Sequence, residues 1–225
     1  MSISIGINAN HADSSISIFE NNRLVFAIEE ERINRIKHWS GFPSESIELG
    51  LNSCNLNLDQ IDEIFLNTNP YSNLTMKVFY YLKNFLFTQK YKEILIRQKK
   101  KLNINIELQQ KLKCNKNIKV TFTDHHLSHI ASAFYPSGYK DAVGLSIDGF
   151  GDFCSLAIAI CKNHKIKIIE KVYFPNSLGV FYEALTQMMG FKNYGEEYKV
   201  MGLSSYGRPI SVSYTHLTLP TMFEV

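Results

Sequence analysis

The 225-residue chain has 45% hydrophobic residues and a formal net charge of +3. This is an ordinary globular composition with ample apolar material for a core, and the charge is too weak to indicate a nucleic-acid partner. The apolar stretch Leu74–Phe87 is too short and too charged to span a bilayer, so no membrane partner is expected. Four cysteines without a CxxC pair argue against a zinc ribbon or a disulfide framework and favour a reducing, cytoplasmic location.

The chain begins with a pattern that predicts a three-strand meander. Ile3–Asn8 is a short apolar run, and Ser15–Phe19 and Leu24–Ile28 alternate on either side of an Asn-rich turn. The same order of strands and turns recurs later, with strands predicted at Ala142–Ile147, Cys154–Ile160 and Ile166–Val172. An internal duplication is the simplest interpretation of this repeat.

Helices and further strands are predicted between and after the two meanders. Ser44 is expected to cap a helix over Ser46–Asn52, and His125–Phe134 is expected to form a helix with small residues facing a neighbour. The other predicted helices are Leu74–Phe87, Glu93–Leu112 and Leu178–Met189, and the other predicted strands are Ile61–Asn67 and Ile118–Phe122. A repeated meander with helices predicts an α/β, ribonuclease H-like fold of the actin, Hsp70 and sugar-kinase type, with duplicated lobes.

The last residues have a different character from the rest of the chain. The segment VSYTHLTLPT, Val212–Thr221, fits no packed element and resembles translated sequencing-adapter DNA. We therefore expect residues 212–225 to be an adapter tail and the natural sequence to end near Ser211. With that boundary, residues 1–137 are predicted to form the first lobe and residues 138–211 the start of an incomplete second lobe.

Three of the seven histidines lie within the segment TDHHLSHIASAF at residues 123–134. His125 and His129 are four residues apart, so a helix presents them on one face, where they can bind one metal ion. His126 points about 100° away and is the weaker candidate. HxxxH is a short motif, and its spacing alone leaves ordinary polar surface histidines as an alternative.

Carboxylates are needed to complete such a site. Asp148 ends a predicted strand and is the expected ligand, whereas Asp124 at the helix start is the expected N-cap. A turn is predicted at Asp148–Asp152. Because the exposed N–H groups of a glycine-bearing turn suit anions, Gly149 and Gly151 are expected to approach the phosphates of a nucleotide in the cleft between the lobes.

Three blocks of the sequence resemble O-carbamoyltransferases of nodulation-factor and antibiotic biosynthesis. They are EEERINRIKHWSGFP, HHLSHIASAFYPSGYKDAVGLSIDGFGD and EEYKVMGLSSYG, in the right order, and the resemblance covers residues 1–211. It implies transfer of a carbamoyl group from carbamoyladenylate to a hydroxyl of a small-molecule acceptor. It also implies a separate C-terminal domain, not found in residues 1–211, which makes carbamoyladenylate from ATP and carbamoyl phosphate. This fragment alone is therefore expected to be inactive.

The same resemblance implies a metal and its ligands. The metal of this family is held by HxxxH and two aspartates, and His125, His129 and Asp148 match three of these ligands. The fourth ligand would lie in sequence beyond this fragment. The resemblance implies iron(II) in preference to zinc, although histidine and carboxylate ligands suit both ions.

Three further residues receive roles from the resemblance. His11, in NANHADS, matches a catalytic histidine, and the order HAD in place of HD leaves the role of Asp13 open. Lys37, in ERINRIKH, matches a catalytic lysine near the carbamoyl and phosphate groups. Lys199, in EEYKVMGL, is expected to border the nucleotide cleft. Without the resemblance, Lys37 would be a surface basic residue and Lys199 part of a helix edge.

Two other functions remain open from the sequence. One is a transferase of the tRNA threonylcarbamoyladenosine type, which shares the HxxxH metal site. The other is a kinase-like or non-catalytic nucleotide-binding module with a structural metal. The long helical insert at residues 74–112 and the EEERxxRxKH block favour the O-carbamoyltransferase. A phosphotransferase would instead require an acidic base beside Mg²⁺ and no histidine cluster.

Overall fold

The first meander is extended by two later strands into a five-stranded sheet. In the computed structural model, which describes residues 2–83, 103–113 and 116–208, its strands are β1 (Ile3–Asn8), β2 (Ser15–Glu20), β3 (Arg23–Glu29), β4 (Glu63–Leu66) and β5 (Lys119–Phe122). The strand order is β3-β2-β1-β4-β5. Strand β2 is antiparallel to β1 and β3, whereas β4 is parallel to β1 and to β5. This arrangement is ribonuclease H-like, as predicted.

The second meander forms a separate antiparallel sheet in the order β6-β7-β8. Its strands are β6 (Asp141–Gly151), β7 (Cys154–Lys162) and β8 (Lys165–Tyr173). The turn predicted at Asp148–Asp152 is wrong, because β6 continues until Gly151 pairs with Cys154. The turn itself is formed by Asp152 and Phe153, both with positive φ. Such two-residue turns match the right-handed twist of the strands that they join.

The helices that the structure describes agree with most of the predicted segments. They are α1 (Glu31–Asn34), α2 (Ser44–Ser53), α3 (Leu74–Lys83), α4 (Ile104–Leu112), α5 (His125–Ser137), α6 (Leu178–Met188) and α7 (Glu197–Leu203). The remaining parts of the helices predicted at Leu74–Phe87 and Glu93–Leu112 lie outside the described residues. None of the helices that the structure describes is long and apolar enough to cross a membrane.

The chain divides into two compact units, residues 1–179 and 180–225. The first unit contains both sheets and two apolar cores. In the first sheet, β1 and β2 alternate buried and partly exposed residues, as strands with one packed face do. The core beneath this face combines buried side chains of the strands with those of α2 and α4. They include Ile5 and Ile18 of the sheet, Ile47 and Leu51 of α2, and Ile104 and Leu108 of α4. Each such side chain contributes roughly 1.5–3 kcal/mol when fully buried.

The second core holds helix α5 on the second sheet. Ile130 and Phe134 of α5 pack against Ala157, Ala159 and Cys161 of β7. Gly144 of β6 allows close approach, since a Cβ there would lie 2.5 Å from the Ile130 side chain. The histidine-bearing helix is therefore fixed to the hairpin that carries Asp148.

Helix α2 is capped by a residue that is distant in sequence. The predicted cap, Ser44, is instead the first residue of the helix, and Pro43 at the N-cap position provides no side-chain hydrogen bond. The buried carboxylate of Glu30 accepts hydrogen bonds from the backbone N–H groups of Glu45 at 3.1 Å and Ser46 at 2.7 Å. A carboxylate suits this position because it satisfies free N–H groups at the positive end of the helix dipole.

Candidate metal centre

Helix α5 begins at an aspartate that the sequence identified as its cap. The Asp124 carboxylate accepts a hydrogen bond from the Leu127 backbone N–H at 3.1 Å, which confirms the N-cap prediction. It also pairs with Lys171 of β8 at 2.7 Å. Burial raises the pKa of Asp124, but the hydrogen bonds from Lys171 and Leu127 outweigh this effect and leave the pKa below its ordinary value. Asp124 is thus an ionised cap that ties α5 to the second sheet.

The three residues predicted to bind metal bring their ligand atoms together. His125 Nε2 lies 2.8 Å from Asp148 Oδ2 and 3.0 Å from His129 Nε2. His129 Nε2 lies 4.0 Å from Asp148 Oδ2. The two histidines meet because residues four apart share one helix face, and Asp148 approaches them from β6. Two imidazoles and a carboxylate at these separations could hold a single ion.

The donor atoms themselves fit a cation. His125 Nδ1 faces the backbone carbonyl of Asn67 at 3.3 Å, so a proton on Nδ1 leaves a lone pair on Nε2. In that tautomer Nε2 directs its lone pair towards His129 Nε2 and Asp148 Oδ2, where one cation could bind all three atoms. A carbonyl behind a histidine ligand is also the usual arrangement in metal sites.

The ionisation of these side chains suits metal binding. When His125 Nε2 carries a proton, its hydrogen bond to Asp148 lowers the pKa of that carboxyl to about 2, so this carboxylate is ionised at neutral pH. Burial, together with the neighbouring His125, lowers the pKa of His129. Because metals bind ionised carboxylates and neutral imidazoles, both residues are in their ligating forms at neutral pH.

Glycines allow the hairpin to approach the helix closely. A Cβ on Gly151 would lie 1.9 Å from the His125 ring, whereas a Cβ on Gly149 would meet nothing within 4 Å. The Gly149 N–H donates to Asp148 Oδ1 at 2.6 Å and so orients the carboxylate. A Cβ on Gly179, a residue that the sequence did not single out, would lie 2.6 Å from the Gly149 nitrogen. Phosphate binding by Gly149 and Gly151 stays a prediction.

His126 has different surroundings from the other two histidines. Its side chain is fully buried, with Nδ1 2.8 Å from Ser146 Oγ and Nε2 2.9 Å from the Cys154 carbonyl oxygen. Both ring nitrogens therefore contact the second sheet, and the residue serves packing and hydrogen bonding.

His11 lies close to the candidate ligands. Its ring centre is 6.0 Å from that of His125. The loop that carries it is held by Asn8, whose Nδ2 donates to the carbonyl oxygens of Ala12 at 3.1 Å and Asp13 at 3.0 Å. The structure therefore places one of the two predicted catalytic residues beside the candidate metal centre.

The loop that carries Lys37 is joined to the loop that carries His11. The Ser14 N–H donates to the Trp39 carbonyl at 2.9 Å, and His38 Nδ1 lies 2.9 Å from Asp13 Oδ1. Asp13 therefore contacts His38 on the neighbouring loop. Lys37 itself is exposed, and its catalytic role stays a prediction.

Lys199 belongs to the second unit. Its ammonium pairs with Glu196 at 2.5 Å and lies 5.5 Å from the centre of the Phe191 ring. The hydrogen bond from Lys199 lowers the pKa of Glu196 to about 2. The nucleotide-binding role of Lys199 stays a prediction.

A cavity of about 730 Å³ lies beside the candidate ligands. Helix α5 lines it with His125, Ser128, His129 and Ser132, and the first sheet lines it with small residues that include Gly6, Ser15, Ser17 and Ala27. The lining also includes apolar side chains such as Ile7, Ile28 and Phe65 and the charged residues Glu29 and Arg32. The space is large enough for a small molecule.

Comparison of the sequence with models of known families identifies the family of this chain. The sequence model of the family described as carbamoyltransferase N-terminus matches residues 4–218. The chain belongs to the carbamoyltransferase family. The match includes part of the segment expected to be an adapter tail, so the origin of that segment stays a prediction.

The curated relatives that match this chain are considerably longer than it. Nodulation protein NolNO of Sinorhizobium fredii is 32% identical over 88% of this chain and 28% of its own length. An uncharacterized protein of Synechocystis sp. is 30% identical over 98% of this chain and 37% of its own length. The chain spans about a third of the length of these relatives. The solved structure of YeaZ from Pseudomonas aeruginosa is 10% identical over 78% of this chain and 68% of that chain, with a TM-score of 0.44.

Single substitutions should separate the ligand histidines from the packing histidine. His125→Ala and His129→Ala should each lower metal affinity by more than about 100-fold, since loss of a residue behind a ligand already costs about 10–100-fold. His126→Ala should retain more metal but lose about 1–3 kcal/mol of unfolding free energy, because two buried partners lose their hydrogen bonds. Metal content after dialysis measures the first effect, and unfolding in urea measures the second. Equal metal loss in all three variants would contradict the assignment by helix face.

The neighbouring glycines offer a matched pair of variants. Gly151→Ala should displace the His125 ring and lower metal affinity at least about 10-fold, because a misplaced ligand weakens the site. Gly149→Ala should bind metal as the wild type does, since its Cβ enters open space. Titration with Co²⁺, followed by its visible absorption, compares the two. Equal affinities would show that the close approach of residue 151 does not position His125.

Proposed function

We propose that this chain is the N-terminal, metal-binding part of a longer O-carbamoyltransferase that transfers a carbamoyl group from carbamoyladenylate to an acceptor hydroxyl. The observation that carries the proposal is the convergence of His125 Nε2, His129 Nε2 and Asp148 Oδ2 beside His11, in a member of the carbamoyltransferase family. The relatives' greater length supports a further domain that makes carbamoyladenylate from ATP and carbamoyl phosphate.

His125, His129 and Asp148 would hold a divalent metal, with iron(II) preferred over zinc. When bound, such an ion supplies positive charge that polarises a carbonyl or phosphate oxygen. Proton transfer and stabilisation of the leaving group are assigned to side chains of this chain. The imidazole of His11 is suited to accept the proton of the acceptor hydroxyl, because its ordinary pKa lies near neutrality. The ammonium of Lys37 is suited to stabilise negative charge on the departing phosphate.

The proposed reaction balances as an acyl transfer. The acceptor oxygen attacks the carbamoyl carbon, a new C–O bond forms, and the bond between that carbon and the phosphate oxygen of the adenylate breaks. The products are the O-carbamoylated acceptor and AMP, and the hydroxyl proton leaves through the base. The acceptor is a small molecule, and the cavity beside the histidines has the size for one.

The test uses the protein extended along its own gene beyond residue 211, with carbamoyladenylate supplied directly. The wild type should transfer the carbamoyl group, whereas Lys37→Met should reduce transfer at least about 100-fold, as expected for a removed oxyanion-stabilising group. Lys37→Met should keep its metal, because Lys37 is not a ligand. Arg35→Met is the control, because it removes a basic residue two positions before Lys37. This variant should transfer the carbamoyl group normally.

Two outcomes would count against the proposal. Normal transfer by Lys37→Met would make Lys37 an ordinary surface residue. A wild-type extended protein that binds metal but transfers no carbamoyl group to any hydroxyl acceptor would contradict the transferase function itself.

A further inference from the structure

Asp152 connects three segments of the first unit through one carboxylate. Its Oδ1 accepts a hydrogen bond from Thr68 Oγ1 at 2.6 Å. Its Oδ2 accepts hydrogen bonds from the backbone N–H of Asn69 at 2.8 Å and of His125 at 2.9 Å. The side chain of Asn73 donates to the Asp152 backbone carbonyl at 2.8 Å. The β6–β7 turn is thereby bound to the segment after β4 and to the start of α5.

These three segments are the ones that form the candidate metal centre. The start of α5 carries His125, and the segment after β4 carries the Asn67 carbonyl that faces His125 Nδ1. The β6–β7 hairpin carries Asp148, four residues before Asp152, and Gly151, whose backbone abuts the His125 ring. The Asp152 carboxylate therefore bonds to the segment after β4 and to the start of α5, and its own backbone belongs to the hairpin that carries Asp148.

The contact with His125 is made through the backbone, and this has a structural consequence. His125 is the first residue of α5, where N–H groups have no partner within the helix. Asp124 accepts the hydrogen bond of Leu127, and Asp152 accepts that of His125. Two carboxylates thus cap the same helix. Of these two, only Asp152 accepts a hydrogen bond from the backbone N–H of a candidate ligand, His125.

We propose that Asp152 is a positioning residue for metal binding, which holds His125 and Asp148 in the register where their ligand atoms converge. The inference rests on the metal site of the proposed function. Asp152 makes no contact with the metal in this role, and its effect passes through the His125 backbone and the β6–β7 turn.

The shape of the side chain, rather than its charge, is the feature that this role requires. In Asp152→Asn, the amide oxygen can accept both backbone N–H groups and the amide NH₂ can donate to Thr68 Oγ1. Asp152→Glu keeps the negative charge but places the oxygens one methylene further from the turn. If Asp152 positions the ligands, Asp152→Asn should retain more metal affinity than Asp152→Glu. If its charge is what matters, Asp152→Glu should retain more.

The experiment is a Co²⁺ titration of the 225-residue protein, with affinity and the visible spectrum of the bound ion as readouts. Asp152→Ala should bind at least about 10-fold more weakly, in line with other residues that orient a ligand, and with an altered spectrum. Asp152→Asn should recover most of the affinity, and Asp152→Glu should recover less. Asp124→Ala is the comparison variant, because it removes the other carboxylate cap of α5 but no hydrogen bond to the backbone of a candidate ligand, and it should lower Co²⁺ affinity less than Asp152→Ala does.

The outcomes separate the inference from the function on which it rests. A wild type that binds no Co²⁺ would overturn the metal site itself. A wild type that binds, with Asp152→Ala equal to it in affinity and spectrum, would overturn the positioning role alone. If Asp152→Ala does not fold, the comparison of Asn with Glu decides, and recovery by Glu at or above that by Asn would overturn the proposal. Equal weakening by Asp124→Ala would reduce Asp152 to a general helix cap.

Discussion

The imidazole of His125 lies where helix α5 meets the β6–β7 hairpin, in space that exists because residue 151 has no side chain. The ring abuts the Gly151 backbone on one side, and its two nitrogens face the Asn67 carbonyl and the Asp148 carboxylate. Helix α5 is held there by the packing of Ile130 and Phe134 on the second sheet. The candidate centre thus depends on close contact between helix α5 and the backbone of Gly151, where a side chain would collide with His125.

The EEERINRIKH block combines structural and functional positions within a few residues. Glu30 is buried and caps α2, and the Glu31 carboxylate accepts the His38 backbone N–H at 2.9 Å. His38 contacts Asp13 on the loop of His11. Lys37 is exposed between these fixed points. The acidic residues hold the loop in place, and this arrangement supports the proposal that Lys37 acts together with His11.

Features that depend on local sequence could be predicted. Alternation in β1 and β2 indicated the strands, and the HxxxH spacing indicated that His125 and His129 share a helix face. Asp124 as N-cap also followed from its position, and Asp148 was the expected partner of the histidines, although its place within strand β6 was missed. The predictions of the strands, the shared helix face and the N-cap succeeded because each depends on periodicity or on a contact within one helical turn.

Features that depend on tertiary contacts could not be predicted. Ser44 has the right residue type for a cap, but Glu30 performs this task from a distant position. The turn was placed too early because Gly149 and Gly151 suggested a loop, whereas Gly151 is a strand residue that accommodates a histidine ring. Asp152 gave no signal beyond that of a turn residue, since its partners Thr68, Asn69 and His125 are remote in sequence.

The proposed function requires that His125, His129 and Asp148 together bind one metal ion. Anomalous diffraction from crystals of the metal-loaded protein, measured at the iron and zinc absorption edges, tests it most directly. We expect one anomalous peak within about 2.0–2.2 Å of His125 Nε2, His129 Nε2 and an Asp148 carboxylate oxygen. A peak bound elsewhere, or metal-loaded crystals in which His125 and Asp148 keep a direct hydrogen bond with no peak between them, would contradict it.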